Sequence, residues 1–183
     1  MPRLFVAVDL PEEHKELLAG LCNGLPGARW VRDRQFHLTL RFLGNVDGPT
    51  ATIVSDALHG VRADPFELSL QGVGHFPPRG PPRVLWAGVE PSEELDELHR
   101  QVVRVLRRAG LPPEERKFAA HVTLARLLDS PLPRLLAFLR EHADLRSEPF
   151  PVTDVSLYNS ITSSEGAIHQ LEASYPLFAR RPG

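Results

Sequence analysis

Two short segments constrain this chain more than any other feature: His37-Leu38-Thr39-Leu40 and, 84 residues later, His121-Val122-Thr123-Leu124. Each alternates polar and apolar residues, the period of a half-buried strand, in which successive side chains point to opposite faces. The imidazole and hydroxyl of each tetrad therefore share one face, and the aliphatic residues turn into a core. The chain has eight histidines, so composition alone predicts roughly 0.04 His-x-Thr-Leu matches. Two matches separated by about half the length point to two pseudo-symmetric lobes that present the same pair of groups.

Paired imidazoles on a polar face suit phosphodiester cleavage by general acid and base. A neutral imidazole takes the proton of the attacking water, and an imidazolium on the far side of phosphorus protonates the departing oxygen. Histidine serves both roles because its ordinary pKa lies near neutrality. The threonine hydroxyls can donate to the non-bridging oxygens, where charge grows in the transition state. For one tetrad alone, a core histidine bonded to backbone would be the simpler explanation; for the pair it is not.

The rest of the chain fits an α+β domain. Leu4–Asp9, Phe36–Leu43, Arg83–Val89 and His121–Leu127 read as strands, as do stretches near Phe66–Leu70, Val152–Tyr158 and Ala167–Tyr175. Helices are expected near Pro11–Cys22, Pro49–His59 and Leu132–His142. The clearest runs from Ser92 to Ala109, where Leu95, Leu98, Val102 and Leu106 recur at helical spacing behind an N-cap serine. The 18 prolines gather in connections such as Phe76-Pro77-Pro78, which punctuate elements.

Composition narrows the chemistry. A net charge of -2 excludes a polycation that coats nucleic acid, so any attraction for RNA must be local. One cysteine, Cys22, excludes an intrachain disulfide and suits a reducing, cytoplasmic setting. No apolar run reaches the roughly 20 residues of a membrane helix. The other six histidines lack the spacing of a zinc site, so no metal is expected. Phe42 and Trp86 are candidate base-stacking rings whose apolar neighbours favour the core instead. Arg32, Arg34, Arg41 and Lys117 lie close enough to the tetrads to attract an RNA backbone, with a solvated surface as the default for each.

The tetrads, with their flanks His37-Leu38-Thr39-Leu40-Arg41-Phe42-Leu43-Gly44 and His121-Val122-Thr123-Leu124-Ala125-Arg126, resemble the two-histidine phosphoesterase superfamily. Within it, the chain is similar to the bacterial and archaeal RNA 2′,3′-cyclic phosphodiesterases, also called 2′-5′ RNA ligases. The opening Arg3-Leu4-Phe5-Val6-Ala7-Val8, the turn Gly74-His75-Phe76-Pro77, Val84-Leu85-Trp86-Ala87-Gly88-Val89 and Leu157-Tyr158-Asn159-Ser160 share in the likeness.

The resemblance implies one bilobal domain over residues 1–183, pseudo-twofold symmetric, with two antiparallel sheets around a central cleft and helices outside. It implies hydrolysis of a terminal 2′,3′-cyclic phosphate to a 2′-phosphate, His37 being proton donor and His121 proton acceptor. Thr39, Thr123 and Arg126 would bind substrate, with no cofactor, metal or membrane and a monomer at work. A reverse ATP-independent ligation is a secondary expectation. Ala120 departs from the proline the family often has before its second histidine. Arg126 lies five residues after His121, where strict alternation gives the wrong face; a bulge or the strand's end must re-aim it, or else Arg126 is only structural. Two alternatives remain: a phosphodiesterase of small cyclic nucleotides or sugar phosphates, and a non-catalytic binder of RNA ends.

Overall fold

The computed structural model describes residues 1–32 and 35–178, with ten strands and four helices among them. In chain order they are β1 (Arg3–Asp9), α1 (Glu12–Ala19), β2 (Ala28–Trp30), β3 (His37–Asn45), α2 (Gly48–Leu58), β4 (Phe66–Leu68), β5 (Leu70–Phe76) and β6 (Val84–Val89). There follow α3 (Glu93–Arg108), β7 (His121–Leu127), α4 (Leu132–Glu141), β8 (Phe150–Val152), β9 (Asp154–Ser163) and β10 (Gly166–Pro176). Helix α3 begins where its cap says it should, the Ser92 side chain accepting from the Leu95 N–H at 3.1 Å. Asp47 caps α2 in the same way through Thr50 N–H, at 2.7 Å.

Two sheets result, both antiparallel. The larger runs β10-β9-β1-β3-β7-β6-β5, with β2 also paired to β7, and the smaller is the pair β4-β8. Within the large sheet, β10-β9-β1-β3 and β7-β6-β5 behave as two groups. They join where β3 meets β7, through the pairing of Leu38 with Val122. The expected α+β arrangement of two antiparallel sheets is what the chain adopts, and the two tetrads form its seam.

All four helices pack against one face of this sheet. Leu18, Val54, Leu58, Leu95, Leu98, Leu135 and Phe138 join Leu4, Val6, Val8, Leu38, Leu40, Val122 and Leu124 in one buried cluster. Burial of this aliphatic surface, worth about 25 cal/mol per Å² removed from water, holds helices to sheet. Period-two alternation then sends Phe5, His37, Thr39, His121 and Thr123 to the face that the helices leave uncovered.

Candidate active site

The first tetrad lies on β3 and the second on β7, and their central residues are partners: Leu38 pairs with Val122. Continuing that antiparallel register by one residue sets His37 against Thr123 and His121 against Thr39. Both imidazoles are thus diagonal neighbours on one face, each beside the other strand's hydroxyl. All four side chains are partly buried. Neither threonine hydroxyl has a protein hydrogen-bond partner among the described residues. They remain available to a ligand.

Each imidazole is anchored identically. His37 Nδ1–H donates to the carbonyl of Gln35 at 2.6 Å, and His121 Nδ1–H donates to the carbonyl of Ala119 at 2.6 Å. A carbonyl accepts only, so both rings carry their hydrogen on Nδ1 and turn a free Nε2 outward. An outward Nε2 accepts a proton when the ring is neutral and donates one when it is charged.

The surroundings of the two rings differ. Phe5 stacks on His37 at a centroid distance of 4.8 Å, and His169 meets it edge-on at 5.0 Å. Nearby, Asp9 accepts from the hydroxyls of Tyr158 and of Ser156, the latter at 2.7 Å. Against His121, among the described residues, only Phe76 stands edge-on, at 4.9 Å, and Phe76 in turn tilts against Trp86. Burial pushes His37 down from 6.5 to about 4, the Gln35 carbonyl opposing and His169 adding to the fall. Asp9 also opposes it, while His121 adds a smaller downward push. Burial lowers His121 too, against the pull of the Ala119 carbonyl. In the free protein both rings are therefore neutral at pH 7.

Of the two ways to re-aim Arg126, β7 uses a bulge, and β3 has one at the matching place. On β7, Thr123 pairs with Trp86 and Ala125 with Leu85, leaving Leu124 extra; on β3, Thr39 pairs with Ala7 and Arg41 with Val6, leaving Leu40 extra. Both strands show the same sequence of exposure from the histidine onward: partial, buried, partial, buried, buried, exposed. A bulge of this kind returns the fifth residue after each histidine to the histidine's own face. Those residues are Arg126 on β7 and Phe42 on β3, both exposed. Arg126 therefore shares a face with His121 and Thr123.

The other arginines near the tetrads sort differently. Arg41 is buried, donates to the carbonyls of Phe42 and Pro112 and pairs with Glu114 at 3.5 Å. It ties β3 to the chain after α3, so the expectation of a solvated or RNA-facing Arg41 is corrected: the bulge turns the fourth residue inward. Arg32 pairs with Glu165 in the β9–β10 turn at 3.3 Å. Lys117 is exposed, and Arg34 lies outside the described residues. His75 closes a local turn, Nδ1–H donating to the Pro77 carbonyl at 2.9 Å.

Phe42 is 47% exposed, not a core residue. Trp86 is partly buried on the tetrad face and covers Gly74, and its buried indole Nε1 has no partner among the described residues. Phe5, Phe76 and Tyr158 lie in segments that share in the likeness, but nothing along the chain points them, or His169, at the imidazoles they frame. Their role comes from strand pairing across long sequence distances. Among the described residues no group of three histidine, cysteine, aspartate or glutamate side chains is placed to hold a metal ion. Among the described residues no helix is long and apolar enough to cross a membrane.

Comparison with known proteins gives the family and the fold. The family model of LigT-like phosphoesterases matches residues 8–86 and 88–169. An RNA 2′,3′-cyclic phosphodiesterase of Aeropyrum pernix is 38% identical over 150 residues, covering 81% of this chain and 85% of that protein. Another from Archaeoglobus fulgidus is 32% identical over 171 residues, 92% and 96% of the two chains. Among solved structures, a Thermus thermophilus protein superposes with a TM-score of 0.81 at 27% identity, over 98% of this chain and all of that one. The E. coli LigT complex with 3′-AMP superposes with a TM-score of 0.77 at 26% identity, over 96% and 98%.

Proposed function

This chain belongs to the LigT-like phosphoesterase family, and we propose that it hydrolyses the 2′,3′-cyclic phosphate at an RNA end to a 2′-phosphate, using His37 and His121 as acid and base. The observation that carries the proposal is the pair of free Nε2 atoms on one face, fixed by twin Nδ1–H bonds to backbone carbonyls. The names of the curated relatives support the substrate class.

In the forward reaction neutral His121 takes a proton from water as its oxygen attacks phosphorus. His37, as imidazolium, gives its proton to the ribose 3′ oxygen as the P–O3′ bond breaks, leaving a 2′-phosphomonoester and a 3′-hydroxyl. Thr39 and Thr123 donate to the non-bridging oxygens, and Arg126 holds a substrate phosphate. Turnover ends with His121 charged and His37 neutral, and exchange with solvent resets both. The resting His37 is neutral, and it acquires its proton as the anionic phosphate enters beside it, because a nearby negative charge favours the imidazolium. The reaction asks for no metal. The same steps with a 5′-hydroxyl in place of water as the nucleophile, the P–O3′ bond again breaking, give the ATP-independent 2′-5′ ligation, and a monomer suffices for either reaction.

An oligonucleotide with a 2′,3′-cyclic end, incubated with the protein in excess EDTA, should yield the 2′-phosphate. His37→Ala and His121→Ala should each lower kcat by about 10²-fold or more. Near-normal turnover in either variant, or activity that EDTA abolishes, would refute this assignment.

A further inference from the structure

On β2 and β7, Arg29 and Arg126 are directly paired residues, flanked in the same ladder by Trp30 with Ala125 on one side and Ala28 with Leu127 on the other. Residues opposite one another in an antiparallel pair share a face, with their Cβ atoms about 5 Å apart. Trp30 rests on Phe138 of α4, at 5.9 Å between rings, which places the Trp30–Ala125 pair on the helix side. Alternation then puts the Arg29–Arg126 pair on the opposite face, the one that holds His121 and Thr123. Two cations directly across a ladder destabilise it unless an anion sits between them. Both are exposed, and neither makes an ion pair or side-chain hydrogen bond among the described residues. By contrast Arg32, Arg41, Arg100 and Arg146 each have a glutamate.

The position along β7 matters as much as the charge. Arg126 is five residues from His121, one of them taken up by the bulge, so the pair stands roughly 13 Å along the strand from the imidazole. That is beyond the phosphorus held between the histidines, and on the path that an RNA strand leaving the site along β7 would follow. Guanidinium forks suit phosphate oxygens, and two forks facing each other can grip one phosphate from both sides.

We propose that Arg29, with Arg126, forms a clamp for an internucleotide phosphate upstream of the cyclic end, so that the protein favours RNA chains over single cyclic nucleotides. This rests on the RNA-end reading above, and it adds Arg29 to the binding surface. The test compares a nucleoside 2′,3′-cyclic phosphate with a tetranucleotide carrying the same end. In Arg29→Ala the ratio of kcat/KM for tetranucleotide over mononucleotide should fall about tenfold, and Arg29→Lys should restore part of it. In parallel, fluorescence anisotropy of a labelled tetranucleotide ending in a 2′-phosphate should show weaker binding. The slope of log Kd against log salt should flatten by about 0.7 for the one phosphate that is no longer neutralised. An unchanged substrate ratio in a folded Arg29→Ala protein overturns the clamp. If the unaltered protein hydrolyses neither substrate, the enzymatic reading alone fails. The anisotropy then still decides: a wild-type Kd and slope in Arg29→Ala, or no binding by the unaltered protein, overturns the clamp.

Discussion

At the scale of single residues, the two histidines are chemically alike in their anchoring and unlike in their neighbours, and titration should reveal the difference. In the proposed reaction the singly protonated pair is the working form, and kcat/KM reports the free protein. With His37 at about 4 and His121 below 6.5, kcat/KM should fall as pH rises through a value below 6.5, when both rings become neutral. It should fall again in acid near 4. The kcat profile, which reports the complex, should lie at higher pH because bound phosphate stabilises the imidazolium. A pH series of initial rates checks this; a kcat/KM maximum above pH 7 would contradict it. The sign for stability follows from the same depression. The unfolded chain binds His37's proton below about 6.5 and the native chain only near 4, so native stability declines as pH falls through that window. The tetrads declare themselves in sequence because their chemistry is local. Their partners do not: Phe5, Phe76 and His169 reach the rings only through pairings that the alternation pattern of a single strand does not specify.

Whole elements are legible in proportion to their length and regularity. Helix α3 ends within a residue of its expected bounds, because its cap and its aliphatic stripe agree. Strand β7 matches its expectation, whereas β2 and β8 are three residues each and escape a periodicity window. Strand β5 is hidden for another reason. Gly72 and Gly74 weaken its pattern, and Gly74-His75-Phe76-Pro77 has the composition of a turn, yet the segment is a strand that carries Phe76 to His121. Gly74 is there because the Trp86 ring lies over it: a Cβ would stand 2.3 Å from Trp86 Cζ2. Gly74→Ala should therefore displace Trp86, which pairs with Thr123, and destabilise the fold by about 2 kcal/mol. Thermal unfolding together with tryptophan fluorescence measures both effects; an unchanged Tm and spectrum would show that the ring does not constrain the strand. The doubled bulge is half legible: the position of Arg126 calls for a bulge or a strand end on β7, and nothing in the sequence calls for the twin bulge on β3.

Across the whole molecule, the half-chain spacing of the tetrads suggests lobes that follow one another in sequence, and the strand order shows them interleaved. The group holding His37 takes β1 and β3 from early in the chain and β9 and β10 from late in it. A protein cut after Val152 retains both tetrads but loses Val155, Leu157, Tyr175 and Leu177 from the core. It also loses the Tyr175 hydroxyl that donates to the Ser55 carbonyl of α2 at 2.9 Å. Such a chain should show no cooperative melting by circular dichroism and no turnover; a sharp transition would mean that the lobes stand independently.

The pairing of β1 between β3 and β9 has a further effect while the protein is being made. Strand β1 leaves the ribosome before every other strand of its sheet, yet one of its edges waits for β9, which follows all of them except β10. Throughout translation that edge, with the apolar Phe5 and Val6 beside it, is an open template for wrong pairing. The nascent chain is thus most in need of a chaperone's cover beside the strands that carry the proposed site.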